Sequence, residues 1–468
     1  MTDLSKPSPT EFIAEERKLT LDPSDPMKIA QTIISKEFTT DEMRMLHHHA
    51  GMFWLWENNC YSVIDDKGIS SVVYRVLDNA LQIKGDGIAP FKPTSHKVNN
   101  VMAALCAELY LNNKTNAPAW LDGREQPNPK NILALKNGLL DLTDRTLIKP
   151  TPIFWTNNAL EYEYSSEATV CEEWLKFLLS VWGEDTESIE SLQEIIGYLL
   201  TGDTSQQKMF MLIGPPRSGK GTIGRILAEL LGHNNICSPT LNSLTGNFGM
   251  SPMIGKLVAI VADARLGPRA DQHQIAEKLL SISGEDSQTI DIKFKTQWQG
   301  RLQTRIFIMS NELPRISDAS GAVSSRFIIL KMTRSFLGLE DRGLFKRLKG
   351  ELPAILNWAL DGRDRLNQRG FFKVPTSSED TVQQLGDLSS PIGAFIRDYC
   401  EVGGDCEVKV STLFKAWQNW CREQGRDHTG ISSTFSKELS AAVAGISTIQ
   451  KREGGKSRFR YFKGLKLI

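Results

Sequence analysis

The alternation of apolar and polar positions divides the chain into segments of different period. Residues 1–40 are polar and contain prolines. Aromatic-rich material follows in "MFWLWENNCYSVID" (52–65), and residues 99–112 carry an apolar helical pattern. Residues 128–156 read as short strands joined by turns at Asn137-Gly138 and Thr143-Asp144-Arg145. "CEEWLKFLLSVWG" sets Trp174, Phe177, Leu178 and Val181 at helical spacing, and "SIESLQEIIGYLLTG" predicts a second helix ending at a glycine. Such stripes belong to a core.

From 208 to 335 apolar strands (208–213, 256–262 and 304–309) alternate with helical patterns, which predicts an α/β domain with a largely parallel sheet. Residues 341–370 read as helical and "FFKVPTSSEDTVQQ" (371–384) as a linker. In the last segment Leu413, Phe414, Trp417, Trp420 and Cys421 share one helical face, and "SSTFSKELSAAV" predicts a second helix opening with serine caps. Two strands around Gly454-Gly455 complete a winged-helix pattern.

Composition narrows the class. At 468 residues and 40% hydrophobic content the chain supports several domains with real cores. Lys+Arg and Asp+Glu are both 55, so only local charge speaks to an anionic partner. The cysteines (60, 106, 171, 237, 400, 406 and 421) are odd in number and never spaced C-x-x-C, which disfavours a disulfide framework and a zinc ribbon. No apolar run approaches the roughly 20 residues that span a bilayer, and "MTDLSKPSPTEF" lacks a signal-peptide core. These features predict a soluble protein of a reducing cytoplasm. The adjacent His47, His48 and His49 point in different directions on any one element, so a packed or solvated cluster is expected rather than a metal site.

The chemistry concentrates after residue 208. "MFMLIGPPRSGKGT" runs a buried-strand pattern into Gly214, Pro215, Pro216, Arg217, Ser218, Gly219 and Lys220, the G-x-x-x-x-G-K form of a phosphate cradle. Its backbone N–H groups point at phosphates while the lysine reaches the β and γ oxygens. "TIGRILAELLG" continues as a helix, placing the anion at a helix N-terminus. Gly221 follows the lysine and the hydroxyl arrives one residue later at Thr222, which reaches Mg²⁺ directly or through water. Asp263 ends the apolar run 257–262, the position of an acid that serves Mg²⁺. Asn311 emerges from the strand 306–310, where an amide orients the attacking water or senses the γ-phosphate. Arg326 stands at the mouth of a further strand, where an oligomeric ATPase supplies an arginine to its neighbour's γ-phosphate.

In this order "IGPPRSGKGT", "VAIVADAR", "EKLLSISGEDSQTIDIKFK", "IFIMSNELP" and "SSRF" resemble the motifs A, B, B′, C and arginine finger of superfamily 3 helicases. More narrowly they look like the phage and plasmid replicative helicases related to the poxvirus primase-helicase, with similarity over residues 130–465. The resemblance implies an AAA+-type fold, ATP and Mg²⁺ as cofactors, and a hexameric ring threading single-stranded or forked DNA in the cytoplasm of a bacterial host. It implies a channel-facing hairpin at B′, where Lys295 matches the channel lysine best and Lys293 is the weaker candidate. Two departures stand out. A single Asp263 is followed by Ala264 where many members carry two acids, which leaves Asp271 and Glu277 as open candidates for activating water. The stretch ahead of the match holds no metal-binding cysteine set and no acid-x-acid core, so primers are expected from a separate primase or another replication protein.

The expected organisation is an α+β N-terminal domain (1–125), a helical collar region (126–205), the P-loop ATPase (206–338), a helical segment and linker (339–388), and a winged-helix-like DNA-binding domain (389–468). The last carries Lys451, Arg452, Lys456, Arg458 and Arg460 among seven basic residues after 447, interleaved with Phe459, Tyr461 and Phe462. Two other classes are open: a nucleotide kinase, prompted by "GKGT", and an ATP-switched DNA-binding or assembly module, prompted by the missing second acid.

Overall fold

Each long helix at the N-terminal end opens on a side chain that satisfies one of its free N–H groups. Asp25 caps Pro26–Glu37, Asp65 caps Asp66–Asp78 and Thr94 caps Ser95–Glu108. The computed structural model describes residues 19–84, 87–267, 270–293, 296–425, 429–453 and 457–468. The chain separates into two units, 1–57 with 61–116, and 58–60 with 117–468. In the first, Ile33, Leu46, Val73, Leu77, Val101 and Leu105 close a core of their own. The helix expected over 99–112 begins and ends earlier. Thr94 starts it, and the chain after Glu108 pairs with a strand instead: His48 N–H donates to Leu109 O and Leu111 N–H donates to His48 O.

The three histidines lie on or at the end of strand Leu46–His49 and pack: His47 tilts against Tyr61 (centroids 5.5 Å apart) and His48 meets Phe53 edge-on at 4.9 Å. Burial pushes the His47 imidazole down to about 4 from 6.5. Because the folded value lies below the unfolded one, the stabilisation is full above pH 6.5 and is lost as pH falls toward 4. Thermal melts across that window are expected to show the loss, and His47→Gln is expected to flatten it. An identical acid limb in the variant would place the titration elsewhere.

The second unit is organised by five parallel strands: β1 (Met209–Ile213), β2 (Ile236–Cys237), β3 (Val258–Val261), β4 (Arg305–Ser310) and β5 (Phe327–Lys331), in spatial order β2-β3-β4-β1-β5. Both faces are covered, so the strands read as continuous apolar runs. Alternate residues enter different cores: Phe210, Leu212, Ile260, Phe307 and Ile328 face one, while Met211, Val261, Ile308 and Ile329 face the other.

The first core is closed by helices α1 (Glu172–Trp182), α2 (Thr186–Leu199), α3 (Lys220–Leu231), α5 (Leu344–Gly350) and α6 (Leu352–Arg369). The second is closed by α4 (Gln272–Ser283) and by Leu385 of α7 (Glu379–Ser389). The helical run expected over 341–370 is therefore two helices. It breaks at Glu351, where Pro353 fits the first turn of α6. The Glu351 carboxylate accepts from the N–H groups of Glu173 and Trp174 at 3.0 Å each, so a distant residue caps α1. Helices α2 and α6 meet at glycines: a Cβ on Gly197 would lie 2.2 Å from Ala359 O.

Beside that contact Glu194, 2% exposed, is held by Arg365 at 2.7 Å and by Arg369. Glu194→Ala leaves two guanidinium groups facing a void. With both arginines partly exposed, the expected cost lies at the lower end of the about 3–5 kcal/mol for breaking a buried pair, read from the denaturant midpoint. No measurable shift would mean that water replaces the carboxylate without cost.

The segment 371–384, expected as a linker, is packed instead. Phe372 meets Tyr198 and Phe210 with centroids 5.5 and 5.3 Å away, and α7 begins at Glu379. The C-terminal part adds helices α8 (Pro391–Tyr399), α9 (Val410–Glu423) and α10 (Ser432–Ala442), and an antiparallel sheet of β6 (Cys400–Lys409), β7 (Ser447–Glu453) and β8 (Ser457–Leu467) in order β6-β8-β7. Strand β6 escapes sequence reading because its glycines and a register shift between Val402 and Glu407 break the period. The expected serine caps of α10 are absent: Ile431 takes the cap position and no side chain bonds there.

Candidate functional site

Strand β1 ends at Ile213 and the chain turns through Gly214–Gly219 into α3. Two glycines are demanded by geometry. A Cβ on Gly214 would lie 2.3 Å from Met332 O, and Gly219 adopts φ 100°, which a larger residue resists. Arg217 also sits at positive φ, 60°. It is steadied by the segment after β5: Phe336 N–H donates to Arg217 O and Ser335 Oγ donates to Pro216 O, both at 2.9 Å. A Cβ on Gly221 would meet nothing within 4 Å, so packing does not require that glycine.

Lys220, only 9% exposed, turns its ammonium back onto the loop, donating to Gly214 O (2.7 Å), Pro215 O (2.8 Å) and Ser218 Oγ (3.0 Å). Burial pulls its pKa below the ordinary lysine value. The loop opens on a cavity of about 1120 Å³ lined by Arg217, Lys220, Thr222 and Asn311 on one side and by Phe177 and Phe336 on another. A second cavity of about 1100 Å³ adjoins Gly214 and Pro215 and is lined by Arg265, Glu312 and Lys331. Asn311 lines both.

Asp263 follows β3 at the same, carboxyl, edge of the sheet. Because β3, β4 and β1 are successive neighbours, two strand spacings of about 4.8 Å separate it from the loop. Its half-exposed carboxylate is gripped by Arg265, Nη2 at 2.6 Å and Nε at 2.9 Å, and this bond holds it below the ordinary carboxylate range. Ala264 is fully buried. Asp271 is the N-cap of α4, accepting from Gln274 N–H at 3.0 Å, and Glu277 is exposed along that helix; neither lines either cavity.

Arg326 is not brought to this edge. Its carbonyl accepts from Met209 N–H, at the start of β1, so the five-residue strand separates it from Gly214 by roughly 17 Å at about 3.3 Å per residue. Its Nη1 bonds instead to Leu280 O (2.5 Å) and Ser283 Oγ (2.8 Å) at the end of α4.

Between β3 and β4, Gln288–Ile290 and Trp298–Gly300 pair as an antiparallel hairpin. Lys293 is exposed toward its tip, while Lys295 lies outside the described residues. In the C-terminal sheet the register sorts the basic residues by face. Arg452 lies opposite Arg458 and Gln450 opposite Arg460, with Arg458 and Arg460 on the side of buried Phe462. Lys451 lies opposite Phe459 on the other side, bonded to Glu407. Lys409, contributed by the unexpected strand β6, sits 3.4 Å over the Phe459 ring. Lys456 lies outside the described residues. Like charges placed directly opposite destabilise a sheet, so the Arg452–Arg458 pair marks a face suited to an anion.

With this geometry in view, comparisons place the fold. Solved structures of the NrS-1 C-terminal region in its apo state align with 94% of this chain. One covers 99% of that chain at TM-score 0.53 and 10% identity. An A-form structure covers 100% of that chain at TM-score 0.50 and 11% identity. The chain shares the fold of the NrS-1 C-terminal region. Residues 32–183 match the family described as D5 N terminal like, and residues 212–326, from within β1 to Arg326, match a family of unknown function (DUF5906). Among the described residues, no helix is long and apolar enough to cross a membrane. Sequence reasoning passed over Arg265, Glu312 and Lys409. Glu312 had a signal in its adjacency to Asn311, whereas Lys409 had none, because its strand was not visible.

Proposed function

We propose that the chain is an ATP-driven DNA helicase, an AAA+-type ATPase acting as a ring of identical subunits in the replication of a phage or related mobile element. The observation that carries this reading is the distribution of polar and charged side chains between two edges of one parallel sheet. Lys220, Thr222, Asn311 and Asp263 stand at the carboxyl edge and Arg326 at the other, where it is suited to a neighbouring subunit's nucleotide. In this reading the loop N–H groups and Lys220 take the phosphates of ATP. Thr222 and Asp263 would hold Mg²⁺; an exposed carboxylate that already attracts a cation and a hydroxyl on the first turn of α3 are the hard oxygen ligands that ion prefers. When bound, the ion neutralises phosphate charge. Asn311 orients the attacking water. Lys293 and Lys295 follow the translocating strand, and Lys451, Arg452, Lys456, Arg458 and Arg460 bind single-stranded or forked DNA through its phosphates. The match of residues 32–183 supports placing the chain with phage primase-helicase-like replication proteins.

The test is ATP hydrolysis with and without single-stranded DNA, with Lys220→Ala as the blank. Turnover that DNA stimulates and the blank lacks supports a motor, and unwinding of forked DNA is then measured. Turnover indifferent to DNA removes the main support. One observation favours a second reading, an ATP-switched assembly module: β3 delivers a single acid before buried Ala264. Steady turnover would end that alternative.

A further inference from the structure

We propose that Glu312 is the carboxylate that accepts the proton of the attacking water, an inference that rests on the hydrolysis reading above. The B strand offers no second acid, since Ala264 is buried. Asp271 is committed to capping α4, and Glu277 lines neither cavity beside the loop. The acids that line the Lys220 cavity come from α1 and from the segment after β5, and each faces an arginine. Glu173 and Asp341 share Arg347 at 2.7 and 2.6 Å, and Glu340 lies 3.6 Å from Arg217.

Glu312 is placed differently. It leaves β4, the strand beside the phosphate-loop strand, immediately after Asn311. Ser310 Oγ donates to Glu312 O at 2.6 Å, pinning the turn that presents both side chains. Glu312 lines the second cavity with Gly214, Pro215 and Arg265, the arginine that grips Asp263. The two carboxylates thus leave neighbouring strands at the same edge of the sheet, and the ion pair of Arg265 is with Asp263. Asp263 is left to the metal and Glu312 to the water, with Asn311 preceding Glu312 at the end of β4.

The step balances without a further reagent. Water oxygen forms a bond to the terminal phosphorus as the bond to the bridging oxygen breaks. The electron pair leaves on the nucleoside diphosphate, and the water proton passes to Glu312 and then to phosphate or solvent.

Glu312→Gln keeps the size and removes the acceptor. The full chain carrying it is expected to lose about 10²–10⁴-fold in kcat, with affinity for a fluorescent ATP analogue within about threefold of wild type and an unchanged melting temperature. Glu312→Asp is expected to retain part of the activity with a displaced acid limb in its kcat–pH profile, and Glu277→Gln to behave as wild type. Near wild-type turnover in Glu312→Gln, while Lys220→Ala is inactive, would overturn the proposal. So would a loss of turnover matched by an equal loss of nucleotide affinity. Wild-type turnover in Lys220→Ala would instead overturn the hydrolysis reading itself.

Discussion

Lys220→Ala is expected to abolish ATP turnover while leaving the fold intact. The ammonium is the one cation buried in the loop's mouth, and its bonds to Gly214 O, Pro215 O and Ser218 Oγ hold it where phosphate oxygens would be received. Removing a single preorganised donor to developing charge costs about 10²–10³ in kcat. Here the same group also supports ground-state binding, so both kcat and nucleotide affinity are expected to fall. Stability is expected to fall only modestly, because besides the lysine's bonds the loop is fixed by Gly214 against Met332 and by the bonds from Ser335 and Phe336. Steady-state hydrolysis, analogue binding and a thermal melt on the same sample separate these effects. Turnover within a few-fold of wild type would remove the phosphate-cradle assignment.

Arg326→Ala is expected to be as inactive, for a reason that lies between subunits. Its backbone stands at the amino edge of the sheet, a full strand length from its own loop, and its side chain reaches the end of α4 instead. An arginine finger is worth about 10³–10⁵ in turnover, and under the proposed ring assembly Arg326 would act in trans. Light scattering is expected to give the wild-type assembly mass, and nucleotide binding is expected to survive. Mixing Arg326→Ala with Lys220→Ala then discriminates: each variant is dead alone, but a mixed ring pairs an intact loop with an intact finger and is expected to regain turnover. Retained hydrolysis in Arg326→Ala alone would refute the finger role, and no recovery on mixing would refute its action across subunits.

What could be read from the sequence was set by local rules. Three central strands showed as apolar runs because a sheet covered on both faces removes polar alternation. The loop was legible because Gly214 and Gly219 answer to a close approach and a positive φ, constraints that only glycine meets. The helices α1, α3 and α9 showed through stripes of period 3.6. Boundaries were less legible. Pro353 splitting one helical run at Glu351 was visible only once Glu351 was seen capping α1, a bond spanning 177 residues.

That a strand, a glycine loop and a helix follow one another at 209–231, and that an acid and an amide follow later strands, depends on neighbours in the chain and is legible there. The remaining features depend on contacts between distant segments. The order β2-β3-β4-β1-β5 sets Asn311 beside the loop, Asp263 one strand further and Arg326 at the far edge, because adjacency in a parallel sheet is fixed by crossover connections rather than by sequence distance. The same packing turned a polar linker pattern into a helix seated by Phe372 and Leu385, committed Asp271 to a cap, and set Glu312 and Arg265 in the lining of one cavity. Residue type states what a side chain can do; the burial and partners that fold supplies decide which of them does it.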